Sequence, residues 1–133
     1  MQISAKVKNS GQVHETSVTT GDTTQTLAVP AKAAGNGSAV NGGEFLMLAL
    51  ATCYCNDLYR EAQRMGIALV SVEVEARAEF KGVGLAARNI EYRAAVVSPA
   101  SPEQIEALLR ETDAVAEVHN TVRAGVPVVM KGA

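Results

Sequence analysis

The sequence predicts an α+β fold in which antiparallel sheets surround a long buried central helix. Two observations carry this prediction. The elements come in segregated runs of strands, a long helix, strands, helices and a closing strand, rather than as alternating strand and helix units. Residues 41–66, NGGEFLMLALATCYCNDLYREAQRMG, also read as one long helix whose first half is apolar all round. We therefore expect this helix to form the core of a single domain spanning residues 1–133.

Composition excludes several classes of function. The chain has 133 residues and a formal net charge of -2, so it offers no positive field for nucleic acid. The first ten residues lack the charged-then-apolar layout of a signal peptide, and the apolar run 45–55 is too short to span a bilayer. We expect a cytoplasmic protein with no nucleic-acid or membrane partner, in which the two cysteines are thiols.

The first 29 residues predict a short antiparallel meander. Ile3, Ala5 and Val7 alternate with polar residues, and turns are expected at residues 9–11 and 21–22. Residues 30–43 are rich in Ala, Gly, Asn and Ser. A stretch of this length and composition is typical of a loop that is functional or mobile.

The central helix changes character at Cys55. Residues 45–55 contain no charged side chain, whereas the residues after Cys55 are apolar on one side and charged or polar on the others. Glu44 places a negative charge in the first turn, and Gly66 is the expected stop. Cys53 then lies near the middle of a buried rod. One chain of this size has trouble covering the apolar half, so we expect an obligate homodimer.

Two segments after the helix predict a hairpin. Residues 70–80 alternate strictly between apolar and polar, and residues 89–96 match them after a turn at 81–84. Opposite charges on the outer faces of the two strands are expected to pair across them. The residues expected to face inward are Val72, Val74, Ala76, Ala78, Phe80, Ile90, Tyr92, Ala94 and Val96.

The last third of the chain predicts two helices and a strand. Ser101 is an expected N-cap, with Pro102 at the first helical position. Asp113 is expected to cap a second helix, which Gly125 ends. Residues 126–130 are expected to form a short closing strand.

The order of these elements resembles the OsmC/Ohr family of osmotically inducible and organic hydroperoxide resistance proteins. The resemblance is carried by EFLMLALATC, AQRMGIALVSVEVEA and NIEYRAAVVSPASPEQIEALLRE, it covers the chain from about Ser38 onward, and the N-terminal meander fits it. It implies an intertwined homodimer in which two long helices lie between sheets. It also implies thiol-dependent reduction of organic hydroperoxides in the stress response, with the reactive cysteine of the family falling on Cys53.

Three other positions of the family's peroxidase site differ in this chain. The second cysteine of the family corresponds to Asn120, no arginine occurs before Arg60, and the family's glutamate falls on Gly43, with Glu44 one residue along. An external thiol reductant would then complete the cycle in place of the second cysteine. The resemblance implies Cys53 as nucleophile, and we expect Glu44 and His119 to assist it, with Asn120 and Cys55 at the binding site. No cofactor is expected.

The residues by themselves leave a second interpretation open. A buried thiol in apolar surroundings has a raised pKa, and the sequence shows neither an arginine nor a helix N-terminus beside Cys53. Cys53 would then be a core cysteine that behaves as a small hydrophobe. Under this interpretation the protein has lost peroxidase chemistry and binds a small apolar or thiol-bearing ligand in the same cleft.

The role of Cys55 depends on helix geometry. Its side chain and that of Cys53 point about 200° apart on a helix, so we expect no disulfide between them within one chain. Cys55 could instead approach its own copy, or Cys53 of the partner subunit, where the paired helices meet. A zinc or copper(I) site from Cys53, Cys55 and His119 is chemically suitable, but a lone CxC is a weak signal and we predict no metal.

Overall fold

The computed structural model describes residues 1–132 and has the predicted α+β architecture. The chain divides into two compact units, Met1–Phe45 and the part from Leu46 onward. Its elements in chain order are β1 (Ile3–Ser10), β2 (Val13–Thr20), β3 (Thr23–Leu27), α1 (Gly42–Met65), β4 (Ser71–Glu79), β5 (Arg88–Val97), α2 (Pro102–Val115) and α3 (Glu117–Ala124).

The first unit contains the predicted antiparallel meander, with strand order β1-β2-β3. Short turns join the strands near the predicted positions. The loop that follows folds back on the turn between β1 and β2. Asn36 Oδ1 accepts a hydrogen bond from the Gly11 N–H, and Asn9 Oδ1 accepts one from the Gly37 N–H. Hydrogen bonds therefore anchor this loop to the sheet.

Helix α1 begins and ends where the sequence predicts. Asn41 and Glu44 form a capping box, in which Asn41 Oδ1 accepts from the Glu44 N–H at 2.8 Å and the Glu44 carboxylate accepts from the Asn41 N–H at 3.0 Å. At the other end Gly66 has a φ of 70°, and the N–H groups of Gly66 and Ile67 donate to carbonyls of the last turn. This is the Schellman motif, which closes the helix. With 24 residues α1 is about 36 Å long.

The core of the second unit forms on the C-terminal half of α1. Leu58 of α1 and Leu108 of α2 are fully buried and pack together. β4 and β5 pair antiparallel, and their exposure alternates as predicted. The hairpin residues that pack on the core are Val72, Val74, Tyr92, Ala94 and Val96.

The outer face of the hairpin carries the predicted ion pairs. Arg93 lies opposite Glu75 with Nη2 3.3 Å from the carboxylate, and Arg77 pairs with Glu91 in the same way. The prediction that Phe80 faces inward is wrong, because Phe80 is 55% exposed at the turn end of the hairpin, beyond the residues that reach the core. Ile90 is 38% exposed but lies on the inner face, where it lines a cavity with Tyr92 and His119.

Helix α2 has the predicted start. The Ser101 hydroxyl accepts from the Gln104 N–H, the Gln104 side chain accepts from the Ser101 N–H, and Pro102 occupies the first turn. The prediction that Asp113 caps the next helix is wrong. Asp113 lies inside α2, and its carboxylate accepts hydrogen bonds from Tyr92 and Arg123, which are 21 and 10 residues away in sequence. α3 begins only at Glu117.

The predicted closing strand at residues 126–130 is absent from the structure over residues 1–132. A strand needs a neighbour to accept and donate its backbone hydrogen bonds, and none of the described strands pairs with this segment. Val128 and Met130 are almost fully exposed as a result.

One chain also leaves part of the apolar half of α1 uncovered. Leu48 is 57% exposed, whereas Leu50 and Tyr54 are buried. In the part of the chain that the structure describes, no helix combines the length and hydropathy needed to cross a membrane.

Candidate functional site

Cys53 lies on α1 beside the N-terminal end of α3. Its Sγ is 3.6 Å from Asp57 Oδ2, one turn further along α1, and 3.9 Å from Oε2 of Glu117, the first residue of α3. The thiol is the donor in both contacts. The backbone N–H of Val118 is close enough to the sulfur to lower the pKa of Cys53. The half-buried thiol therefore lies between two carboxylates and the end of a helix.

Arg60 joins the same two carboxylates. Its Nη1 is 3.0 Å from Asp57 Oδ1 and 3.6 Å from Glu117 Oε1. Its Nε is 3.3 Å from Glu61, which also binds Arg64 at 3.0 Å. Asp57 is only 5% exposed, and a buried carboxylate is costly without such partners. The alternating charges along α1 thus stabilise the acidic groups and hold Arg60 in place.

The protonation states follow from these surroundings. Burial raises the pKa of Cys53, the Val118 N–H opposes this by favouring the thiolate, and the charges of Asp57 and Glu117 raise the pKa further. Burial and the neighbouring Glu117 also raise the pKa of Asp57. The pKa of Glu117 is lowered, first by its own backbone N–H and then by its interaction with Asp57. Asp57 is therefore the member of the carboxyl pair that holds a proton more readily.

His119 does not reach the thiol. Its side chain is 3% exposed, and neither ring nitrogen has a hydrogen-bond partner among residues 1–132. The ring packs edge-to-face on Tyr92 and Tyr54, with centroids 4.4 Å and 5.8 Å away. Burial lowers the pKa of His119 and the charge of Arg123 lowers it further, so the imidazole is neutral at pH 7. The structure places His119 in a packed aromatic cluster.

The other three residues predicted for the site have different surroundings. Glu44 is engaged in the capping box that starts α1. Asn120 lies on α3, where its amide donates to the Ala114 carbonyl at 3.1 Å and accepts from Arg123 at 3.2 Å. Cys55 is a half-buried free thiol. The structure therefore brings neither Asn120 nor His119 into hydrogen-bond contact with Cys53.

Sequence reasoning missed Asp57, Arg60 and Glu117. Asp57 and Arg60 follow Cys53 at i+4 and i+7, a spacing that places all three on one face of a helix and could have drawn attention to them. Glu117 and the Val118 N–H could not be found in this way, because they reach Cys53 only through the packing of α3. The sequence prediction that no helix N-terminus lies near Cys53 is wrong for the same reason.

The donor atoms of Cys53, Asp57 and Glu117 lie within 4.8 Å of one another, which is close enough to hold a cation. The guanidinium of Arg60 already supplies positive charge to both carboxylates. The cluster is thus satisfied by the chain itself, and its geometry does not call for a metal.

A separate cavity of about 110 Å³ lies beside His119. Its wall is mostly apolar, with one guanidinium and one phenol. The lining residues are Leu50, Ile90, Tyr92, His119, Val122 and Arg123, and Cys53 is not among them.

Comparisons with known proteins agree on the fold. A family model described as OsmC-like protein matches residues 35–131. The structure is similar to an OsmC-like protein from Mycoplasma pneumoniae, with a TM-score of 0.63 and 19% identity over 94% of this chain and 87% of that one. It is also similar to an organic hydroperoxide resistance protein from Elizabethkingia anophelis, with a TM-score of 0.62 and 17% identity over 92% and 89% of the two chains.

A third similar structure is the organic hydroperoxide resistance protein OsmC from Legionella pneumophila, with a TM-score of 0.57 and 20% identity over 92% of this chain and 90% of that one. At these identities the likeness establishes the fold alone. No protein of curated function shows a significant match to this sequence.

Proposed function

The chain belongs to the OsmC-like protein family, and we propose that it is a thiol-dependent reductase of organic hydroperoxides that protects against oxidative stress, with Cys53 as the reactive thiol. One observation carries the proposal. Cys53 lies at the N-terminal end of α3, with its sulfur 3.9 Å from the carboxylate of the first residue, Glu117. The Val118 N–H at this end lowers the pKa of Cys53, because a helix N-terminus favours the thiolate that such chemistry needs. Two similar structures described as organic hydroperoxide resistance proteins support the same class of reaction.

The reaction requires an external thiol to complete its cycle. The family resemblance aligns Asn120 with the family's second cysteine, and the amide of Asn120 is bound to Ala114 and Arg123. A sulfenic acid on Cys53 would therefore react with an external thiol, which forms a mixed disulfide and releases water. A second thiol molecule would then release Cys53 and leave with the first as a disulfide.

Intact-mass spectrometry tests this function. Reduced protein receives a stoichiometric pulse of cumene hydroperoxide in the presence of dimedone, which traps sulfenic acids, with Cys53→Ser and Cys55→Ser alongside. We expect one dimedone adduct on the wild type and on Cys55→Ser, and none on Cys53→Ser. A disulfide that disappears in Cys55→Ser would instead make Cys55 the resolving thiol. An unmodified wild-type mass at peroxide levels that oxidise free cysteine would exclude the reductase function.

The second candidate is a binding protein without peroxidase chemistry, and one observation favours it. Burial and two carboxylates raise the pKa of Cys53, which leaves most of the thiol protonated at pH 7. The cavity lined by Leu50, Val122 and His119 would suit a small apolar ligand. Cys53→Ser separates the two functions, since it should abolish peroxide consumption under the first and leave ligand affinity intact under the second.

A further inference from the structure

We propose that the carboxyl pair of Asp57 and Glu117 accepts the proton of Cys53 and returns it to the alcohol product, with Asp57 as the group that exchanges the proton with sulfur. This inference rests on the proposed hydroperoxide reductase function and names the acid and base of that reaction. Its basis is the contact of the thiol with both carboxylates, at 3.6 Å to Asp57 and 3.9 Å to Glu117.

The oxygen atoms of the two carboxylates are divided between two partners. Asp57 gives Oδ1 to Arg60 and Oδ2 to Cys53, and Glu117 gives Oε1 to Arg60 and Oε2 to Cys53. Arg60 thus orients both groups so that one oxygen of each faces the sulfur. Glu61 binds the Nε of Arg60 and holds the guanidinium in this position. Arg60 is therefore a positioning residue for the pair.

The charges around the thiol favour transfer of the Cys53 proton to the neighbouring carboxyl pair. The charged groups that contact the thiol and its carboxylates are Asp57 and Arg60 from α1 and Glu117 from α3. Two carboxylates this close to one positive charge hold a proton more readily than an isolated carboxylate does. The raised pKa of Asp57 agrees with this, and it moves the carboxyl group towards the range in which general acids and bases are effective. The Val118 N–H then stabilises the thiolate that remains.

The carboxylate of Asp57 takes the proton from Cys53, and the sulfur attacks the terminal oxygen of the hydroperoxide. An S–O bond forms and the O–O bond breaks, so the sulfur is oxidised by two electrons to a sulfenic acid while the peroxide is reduced. The leaving alkoxide takes the proton from Asp57 and departs as an alcohol. The external thiol of the proposed cycle later reduces the sulfenic acid.

Two reactions of the same thiol separate this role from a structural one. Alkylation by iodoacetamide needs the thiolate but expels iodide, which takes no proton, whereas oxidation by cumene hydroperoxide expels an alkoxide. In Asp57→Asn the loss of a negative charge lowers the pKa of Cys53, so alkylation at pH 7 should become faster. The ratio of the oxidation rate to the alkylation rate should fall about 100-fold, the lower end of the typical general acid contribution. A mere loosening of the site would change both rates in the same direction.

Glu117→Gln provides a second test that does not depend on a buried position, since this side chain is 69% exposed. We expect the same ratio to fall about tenfold, because Asp57 then remains as the only carboxylate of the pair that can accept the proton of Cys53. Glu111→Gln is the matched control. Glu111 is a carboxylate on α2 that pairs with Arg64 and does not touch Cys53, and its loss should leave the ratio unchanged.

The outcomes distinguish this inference from the function on which it rests. If wild-type Cys53 is not oxidised at all, both the proposed reductase function and the proposed proton transfer are wrong. If the wild type is oxidised and the folded Asp57→Asn variant keeps the wild-type ratio, only the role of the carboxyl pair is wrong. Should Asp57→Asn fail to fold, the ratio in Glu117→Gln decides, and an unchanged value overturns the inference.

Discussion

Cys53 has neighbours that act on its proton in opposite directions. Burial and the two carboxylates favour the thiol, and the Val118 N–H favours the thiolate, with a raised pKa as the net result. A cysteine of this kind is protected from nonspecific oxidants, because the thiolate is the reactive form. Its reaction with a peroxide then depends on a group that removes the proton at the moment of attack, which is the role inferred for Asp57.

His119 is expected to make the protein less stable as the pH falls below neutral. Burial lowers its pKa in the folded state, whereas the unfolded chain keeps an ordinary value of about 6.5. Below that pH the unfolded chain binds a proton that the folded chain binds less well, so the free energy of unfolding decreases. His119→Phe should remove this loss while keeping the packing on Tyr54 and Tyr92. Urea denaturation of both proteins at pH 7 and pH 5 measures the difference.

The sign of this effect identifies its source. Asp57 has a raised pKa, so the folded state binds its proton more readily than the unfolded state does. Asp57 therefore increases the free energy of unfolding as the pH falls. A loss of stability towards pH 5 therefore cannot come from Asp57. If His119→Phe loses as much stability between pH 7 and pH 5 as the wild type does, His119 is not the cause.

At the scale of elements, the ends of α1 are determined by local chemistry. Asn41 and Glu44 cap the start, and Gly66 provides the left-handed turn at the end. α3 differs, because its first residues meet Cys53 across the structure and its N-cap, Ala116, has no capping side chain. The end of α3 beside Cys53 is therefore positioned by packing, whereas α1 is delimited by its own sequence.

Gly66→Ala is expected to destabilise the protein by about 1 kcal/mol, because alanine is strained at the φ of 70° that closes α1. A Cβ atom at this position would meet nothing within 4 Å, so the cost comes from the backbone alone. Gly42→Ala is the matched control, since a Cβ there also meets nothing and its φ is ordinary. We expect it to be neutral or slightly stabilising. Equal effects of the two substitutions in thermal denaturation would contradict the role of Gly66 as the C-terminal stop.

At the scale of the whole molecule, one chain leaves apolar surface that a second copy would cover. Leu48 is exposed in the apolar half of α1, and Val128 and Met130 are exposed in a segment without a strand partner in the described chain. Exposed apolar side chains of this kind are often covered at an interface. The homodimer predicted from the sequence therefore remains our proposal for the assembled protein.

Leu48→Glu tests this assembly, because a charge at the centre of an apolar interface is costly to bury. Light scattering during size-exclusion chromatography should give twice the chain mass of 13.9 kDa for the wild type and a lower mass for the variant. Val83→Glu is the control, since Val83 is a fully exposed apolar residue of the turn after β4. We expect it to keep the wild-type mass. A wild-type mass of one chain would exclude the homodimer.

The sequence by itself determined the fold class, the bounds of α1, the capped start of α2 and the ion pairs across the hairpin. These features depend on residues that are close in sequence or directly opposite in a hairpin, where periodicity, caps and alternation act. The family resemblance added Cys53 as the candidate nucleophile.

Only the tertiary structure decided what surrounds Cys53. Glu117 and the Val118 N–H come from a helix more than sixty residues away in sequence, and the same packing removes His119 from the thiol and places Asp113 on Tyr92 and Arg123. The segment 126–130 shows the same limit of sequence-based prediction. Its residues favour a strand, but a strand forms only where another strand lies beside it. Contacts between distant elements depend on how the elements pack, and local patterns in a sequence do not encode that packing.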